Sequence, residues 1–270
     1  MPRLRGVPFL AVAVLLVFVA TAIVSAGEPA AALPWPVERF TVADKPAFLV
    51  SSPSSDRSSR PWVWYAPTLP DLPGRAEEWL FSRLRAAGVS IAGINVGESY
   101  GNLPGRSAYS ALHAELVGRG YASRPVLLGR SRGGLMLLSW AADHPQSLAG
   151  FAGIYPVCNL ASYPGLATAA GAHGLTPEEF GRRLAEFNPL DRLGSLAAAR
   201  VPLFAIHGDQ DKLVPLEQNS GAVRTRYEAL GGSMRLIVPA GQGHSMWPGF
   251  FQNEDLAAWV IATALAGAKN

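Results

Sequence analysis

Three polar residues of this chain have types and settings suited to nucleophilic chemistry: Ser131, Asp211 and His244. Ser131 lies in Gly129-Arg130-Ser131-Arg132-Gly133-Gly134, between an apolar run, Val126-Leu127-Leu128, and a helical one, Leu135 to Ala142. A G-x-S-x-G pattern between a strand and a helix makes a sharp, strained turn that lifts the serine hydroxyl clear of the chain. Such a hydroxyl stays protonated near neutral pH and needs a base, the work of an imidazole. A carboxylate behind the imidazole fixes its tautomer and stabilises its charged form.

The elements around these residues predict how they meet. Val201-Pro202-Leu203-Phe204-Ala205-Ile206 reads as a buried strand, and His207-Gly208-Asp209-Gln210-Asp211 follows it. Met234 to Val238 reads as another, leading to Gly241-Gln242-Gly243-His244. All three polar residues thus stand just past strand C-termini, which in an open parallel sheet share one edge. The order Ser, Asp, His resembles that of the α/β-hydrolases. Over about residues 37–268 the chain is similar to the dienelactone-hydrolase and prolyl-oligopeptidase-type branches of that superfamily.

That resemblance implies an α/β-hydrolase fold, a mostly parallel twisted sheet with helices on both faces and a small lid insertion. It implies Ser131 as nucleophile, His244 as base and Asp211, the second aspartate of G-D-x-D, as acid, leaving Asp209 to the turn. The Arg132 backbone N–H becomes one oxyanion donor, and the loop after the third strand supplies the other, by position Thr68. The usual His-Gly pair is replaced there by Ala66-Pro67.

Arg130 and Arg132 bracket the nucleophile and, with Glu98, are the expected contacts to an acidic or strongly polar substrate group. A cation in the first turn of a helix opposes the helix dipole. Glu98, in the loop after a neighbouring strand, is one partner for Arg132; a substrate carboxylate is another. The Ser131-Arg132 step also resembles the serine-arginine pair of glucuronoyl esterases. Trp247, in Trp247-Pro248-Gly249-Phe250-Phe251, reads either as pocket wall or as aromatic core. His113, His144, His173 and His207 show no metal-ligand spacing, so the reading includes no metal and no cofactor.

The elements around the site alternate. Short strands are expected at Val37 to Val42, Ala47 to Val50 and Trp62 to Ala66, and a longer one at Val89 to Val96. Helices are expected at Arg75 to Ala87, Ala108 to Val117 and Glu254 to about Ala266, with another around Val223 and Tyr227. Strand and helix in turn indicate a parallel sheet covered on both faces. Phe151 to Val157 reads as a strand, with Cys158, the only cysteine, as a small buried residue beyond it. Residues 159–187 break the alternation and read as a lid or a surface helix, started by the capping box Thr176-Pro177-Glu178-Glu179.

Length and composition bound the rest. The 270 residues, 49% hydrophobic and 16% charged, suffice for one large core. Arg3 and Arg5 precede an uncharged apolar stretch, Val7 to Val24, and Val24-Ser25-Ala26 offers small residues for signal-peptide cleavage. The segment is also long enough to anchor in a membrane if uncleaved. The expected organisation is therefore signal peptide at 1–26, linker at 27–36 and catalytic domain at 37–270. Without residues 1–26, 21 basic residues face 20 acidic ones, which argues against nucleic acid as a partner. The expectation is an exported serine hydrolase acting on small, carbohydrate-linked or acidic esters. The alternatives are a prolyl-oligopeptidase-type peptidase and an idle hydrolase fold that only binds.

Overall fold

The computed structural model describes Met1 and residues 33–53 and 59–269. The segment read as signal peptide, and most of the expected linker, lie outside these residues.

Eight strands form one sheet: β1 (Glu38–Val42), β2 (Lys45–Val50), β3 (Trp62–Ala66), β4 (Ser90–Ile94), β5 (Val126–Arg130), β6 (Gly150–Ile154), β7 (Leu203–Ile206) and β8 (Met234–Ile237). Their spatial order is β1-β2-β4-β3-β5-β6-β7-β8. The β1–β2 and β2–β4 pairs are antiparallel and every later pair is parallel. The helices are α1 (Glu78–Ala86), α2 (Leu103–Gly118), α3 (Gly133–Asp143), α4 (Leu166–Ala172), α5 (Pro177–Arg182), α6 (Leu184–Phe187), α7 (Gly194–Ala198), α8 (Ser220–Ala229), α9 (Pro248–Phe251) and α10 (Glu254–Gly267). This is the α/β-hydrolase architecture.

Strand periodicity sorts the core into two layers, because successive side chains point to opposite faces. Trp62 and Trp64 of β3 pack with Leu112 of α2, Trp140 of α3 and Tyr227 of α8. Val63 and Tyr65 turn the other way, to Leu80 and Phe81 of α1 and Val260 of α10. Both faces are buried, so these strands read as apolar runs rather than alternating ones.

Some expected boundaries differ. Helix α2 begins at Leu103, not Ala108, because Asn102 caps it by accepting the Gly105 N–H at 2.9 Å and Pro104 occupies the first turn. Residues 75–77, expected as the start of α1, form a separate 3-10 turn. Strand β6 ends at Ile154 rather than Val157, since Tyr155 takes a φ of +34° that no extended strand accommodates. Cys158 lies beyond that turn, fully buried, and burial raises its thiol pKa.

The segment after β6 builds a small core of its own. Phe180 stacks on Phe187 at 5.3 Å, and Phe180, Leu160 and Ala169 pack against Leu135 and Val157. The capping box at Thr176 is present, with the Glu179 N–H donating to Thr176 Oγ1. Leu33 and Trp35, from the end of the expected linker, pack onto the domain, and the Arg85 guanidinium lies 4.9 Å from the Trp35 ring. The Trp35 indole is half-buried there.

Candidate active site

Strand β5 and helix α3 meet at Ser131, which has a φ of +49°. That left-handed conformation is costly for a residue with a Cβ. Its neighbours hold it: the Ser131 N–H donates to Ile154 C=O at 3.0 Å, and Ser131 C=O accepts from Val157 N–H at 2.8 Å and Gly134 N–H at 2.9 Å. Close approach requires Gly133, where a Cβ would lie 2.0 Å from the Ala66 carbonyl oxygen. The Arg132 N–H takes no part in the backbone bonds of this turn.

Ser131 Oγ lies 2.9 Å from His244 Nε2, and His244 Nδ1 lies 2.7 Å from Asp211 Oδ2. A carboxylate only accepts, so Nδ1–H donates to it and Nε2 is left to accept the serine proton. The Asp211 side chain is fully buried, and that of His244 is partly exposed. Asp211 Oδ1 accepts the N–H groups of Leu213 at 3.0 Å and Val214 at 2.8 Å. Burial alone would raise the Asp211 pKa, but the hydrogen bonds from His207, His244 and Val214 hold it well below the usual carboxylate range.

Asp209 sits elsewhere. Its Oδ1 accepts the Gly241 N–H at 2.7 Å and so ties the β7 turn to the loop carrying His244. By sequence His207 is simply the residue just past the end of β7. The structure buries it beside Asp211: Nε2 lies 2.8 Å from Val214 C=O and 3.3 Å from Asp211 Oδ2, and Nδ1 lies 2.9 Å from Ser220 Oγ. A carbonyl cannot donate, so Nε2 carries the proton.

A family model for the prolyl oligopeptidase family matches residues 109–261, more than half of the chain and all three of these residues. The chain belongs to that family.

Solved structures agree on the fold. Dipeptidyl peptidase 4 of Porphyromonas gingivalis matches with a TM-score of 0.69 at 18% identity, over 84% of this chain and 35% of that one. An acylaminoacyl peptidase of Pyrococcus horikoshii matches with 0.65 at 17% identity, over 84% and 40%. This prolyl oligopeptidase family chain thus spans little more than a third of the length of these two peptidases. Est1E from Butyrivibrio proteoclasticus matches with 0.64 at 17% identity, over 87% of this chain and 99% of its own. No curated protein matches the sequence.

Within this member of the prolyl oligopeptidase family, a cavity of about 270 Å³ opens at Ser131 and His244, lined also by Pro67, Tyr155, Tyr163 and Met246. Tyr155 was missed in the sequence; its ring packs on His244 with centroids 4.3 Å apart. Tyr163 comes from the insertion, which thereby reaches the cavity.

Several expected site residues stand differently. Arg130 lines the cavity, yet its guanidinium is occupied, contrary to its expected substrate contact. Its Nη1 donates to Glu77 Oε1 at 2.7 Å, its Nη2 to Met246 Sδ at 3.0 Å, and the group lies 5.1 Å from the Phe251 ring. Tyr65 donates to the same Glu77 oxygen at 2.9 Å. Arg132 pairs with Glu98, Nε to Oε1 at 3.0 Å, but the N–H is not aimed at the oxygen, so the contact is an ion pair without a hydrogen bond. Glu98 does not line the cavity.

Thr68 lines a neighbouring, larger cavity, and its hydroxyl turns back to Tyr65 C=O at 3.5 Å. The residues of this loop that do line the Ser131 cavity are Pro67, which has no N–H to give, and Leu72, whose N–H donates to Leu69 C=O at 3.1 Å. Trp247 is not in the wall; it is 39% exposed and meets Phe250 edge-on at 5.3 Å. Pro248 starts α9 directly after it and turns the indole outward, leaving Ser245 and Met246 as the lining. Among the described residues no three side chains cluster as metal ligands.

Proposed function

We propose that the chain is a serine hydrolase that cleaves carboxylic esters through an acyl-enzyme. The observation that carries the reading is the chain of contacts Ser131 Oγ–His244 Nε2–Asp211 Oδ2 at 2.9 and 2.7 Å, which runs from the cavity to the buried carboxylate. Ser131 Oγ attacks the ester carbonyl while His244 Nε2 takes its proton. The oxyanion forms beside the Arg132 N–H, which the turn leaves uncommitted; one such donor contributes about 3–4 kcal/mol. When the C–O bond breaks, His244 returns the proton to the departing alkoxide. Water, deprotonated by the same imidazole, then releases the acid and restores Ser131. Asp211 stabilises the imidazolium in both halves. Arg132, whose guanidinium carries one poorly aligned ion pair, is left to contact an acidic or strongly polar group beside the scissile bond.

The second reading, a peptidase, is supported by the family match and by the peptidases among the structural neighbours. Matched p-nitrophenyl esters and aminoacyl anilides, assayed with the purified protein, separate the two. Higher kcat/KM on esters supports the esterase reading, and higher kcat/KM on anilides replaces it. Fluorophosphonate labelling of Ser131, abolished in Ser131→Ala, tests what both readings share. Hydrolysis by that variant near the wild-type rate defeats both; a residual rate several orders of magnitude lower, supplied by the oxyanion donors and binding alone, does not.

A further inference from the structure

The cavity at Ser131, about 270 Å³, is small for a binding site; pockets that bury a drug-sized ligand run roughly 300–1,000 Å³. Beside it lies a cavity of about 790 Å³. The two share Leu72, and consecutive residues face one each, Pro67 the smaller and Thr68 the larger. The partition between them is a tight turn in which Leu69 and Leu72 exchange both backbone hydrogen bonds at 3.1 Å.

The larger cavity is walled by Trp35, Val37, Phe48, Leu69 and Leu72. Arg39 and Asp71 also line it, both exposed and neither in an ion pair among the described residues. Thr68 and Asn95 add polar groups to the lining, and the apolar surface is the continuous aromatic and aliphatic wall formed by Trp35, Val37, Phe48, Leu69 and Leu72. The indole of Trp35 contributes a flat aromatic surface, and the Arg85 guanidinium lies 4.9 Å from its ring.

We infer that this cavity is a second subsite of the same hydrolase, taking a bulky, neutral, ring-sized apolar group of the substrate whose scissile bond lies at Ser131. The inference rests on the hydrolase reading above and names its substrate class. Binding energy gained on that remote group serves the chemistry at Ser131 by fixing the reacting carbonyl against the nucleophile.

The test compares naphthyl-bearing esters with their short alkyl counterparts, in one series with the ring on the acyl side and in another on the alcohol side. Val37→Trp fills the cavity and Trp35→Ala removes its wall. In one series the ratio of kcat/KM, bulky over short, falls about tenfold in each variant. Thermal unfolding verifies that both variants fold, and Trp35→Ala carries the test alone if Val37→Trp does not. A second readout needs no turnover: methyl naphthylacetate titrated into Ser131→Ala gives a saturable change in tryptophan fluorescence that vanishes in Ser131→Ala/Trp35→Phe. Ratios within twofold of wild type in both series, or fluorescence that never saturates, overturn the subsite. Hydrolysis by Ser131→Ala near the wild-type rate instead overturns the underlying hydrolase reading, so the two failures are distinct.

Discussion

Arg130 Nη1 lies 2.7 Å from Glu77 Oε1, and the Glu77 side chain is only 1% exposed. This ion pair joins the residue before Ser131 to the turn preceding α1. The same carboxylate accepts the Tyr65 hydroxyl and, through Oε2 at 2.9 Å, the Gly74 N–H. Burial works against the charge of Arg130, but its carboxylate and phenol neighbours hold it protonated, above its usual pKa.

Removing one partner of such a pair leaves a buried charge without compensation. Glu77→Ala is expected to lower unfolding stability by about 3–5 kcal/mol, and Glu77→Ala/Arg130→Met by less. Denaturant unfolding of the two variants measures this. A double variant no more stable than the single one contradicts the account.

The two aspartates after β7 have different partners and different expected effects. Asp211→Asn leaves the imidazole in the wrong tautomer and should lower kcat by about 10⁴. Asp209→Asn loosens the Gly241 turn and should show mainly as a lower Tm. Steady-state kinetics and melting curves on both variants decide the assignment.

Asp211 also sets a pH dependence. Its folded pKa lies below the unfolded value near about 3.9. Its contribution to stability is therefore complete above that pH and is lost as pH falls through the folded pKa. The Tm gap between wild type and Asp211→Asn should be constant from pH 7 to 5 and narrow below about pH 4. Melting curves across that range check it, and a gap that widens in acid contradicts the sign.

Arg132 distinguishes a substrate contact from a structural one. If it meets an anionic group, Arg132→Ala raises KM for anionic esters and leaves matched neutral esters less affected. If its task is the ion pair with Glu98, both ester types lose alike and unfolding stability falls by the small amount typical of a part-exposed pair, about 0–1 kcal/mol. Paired kcat/KM values for the two esters decide it.

Export is a proposal resting on Arg3, Arg5 and the apolar stretch to Val24. The mature chain should begin at Gly27, as N-terminal sequencing of the protein recovered from outside the cytoplasm would read. Recovery of Met1 in a membrane fraction would show an anchor instead.

The sequence by itself determined the superfamily and the three residues whose side chains meet. Strand ends are legible from apolar runs, and in a parallel sheet those ends share an edge, so residues far apart in the chain are placed together by pattern alone. It also fixed the capping box at Thr176 and the G-D-x-D turn, where neighbouring residues suffice. Only the tertiary structure decided where the surrounding side chains point. Arg130 and Arg132 look equivalent in sequence. Yet one side chain runs back to Glu77, fifty-three positions away, and the other meets Glu98 loosely at the cavity. His207 reads as a strand end until Asp211 folds back onto it. Tyr155 reads as one more strand residue until its positive φ turns the ring onto His244. Trp35 looks like part of a linker until its indole packs onto the domain. Each of these depends on which distant backbone arrives alongside, and local propensity carries no record of that.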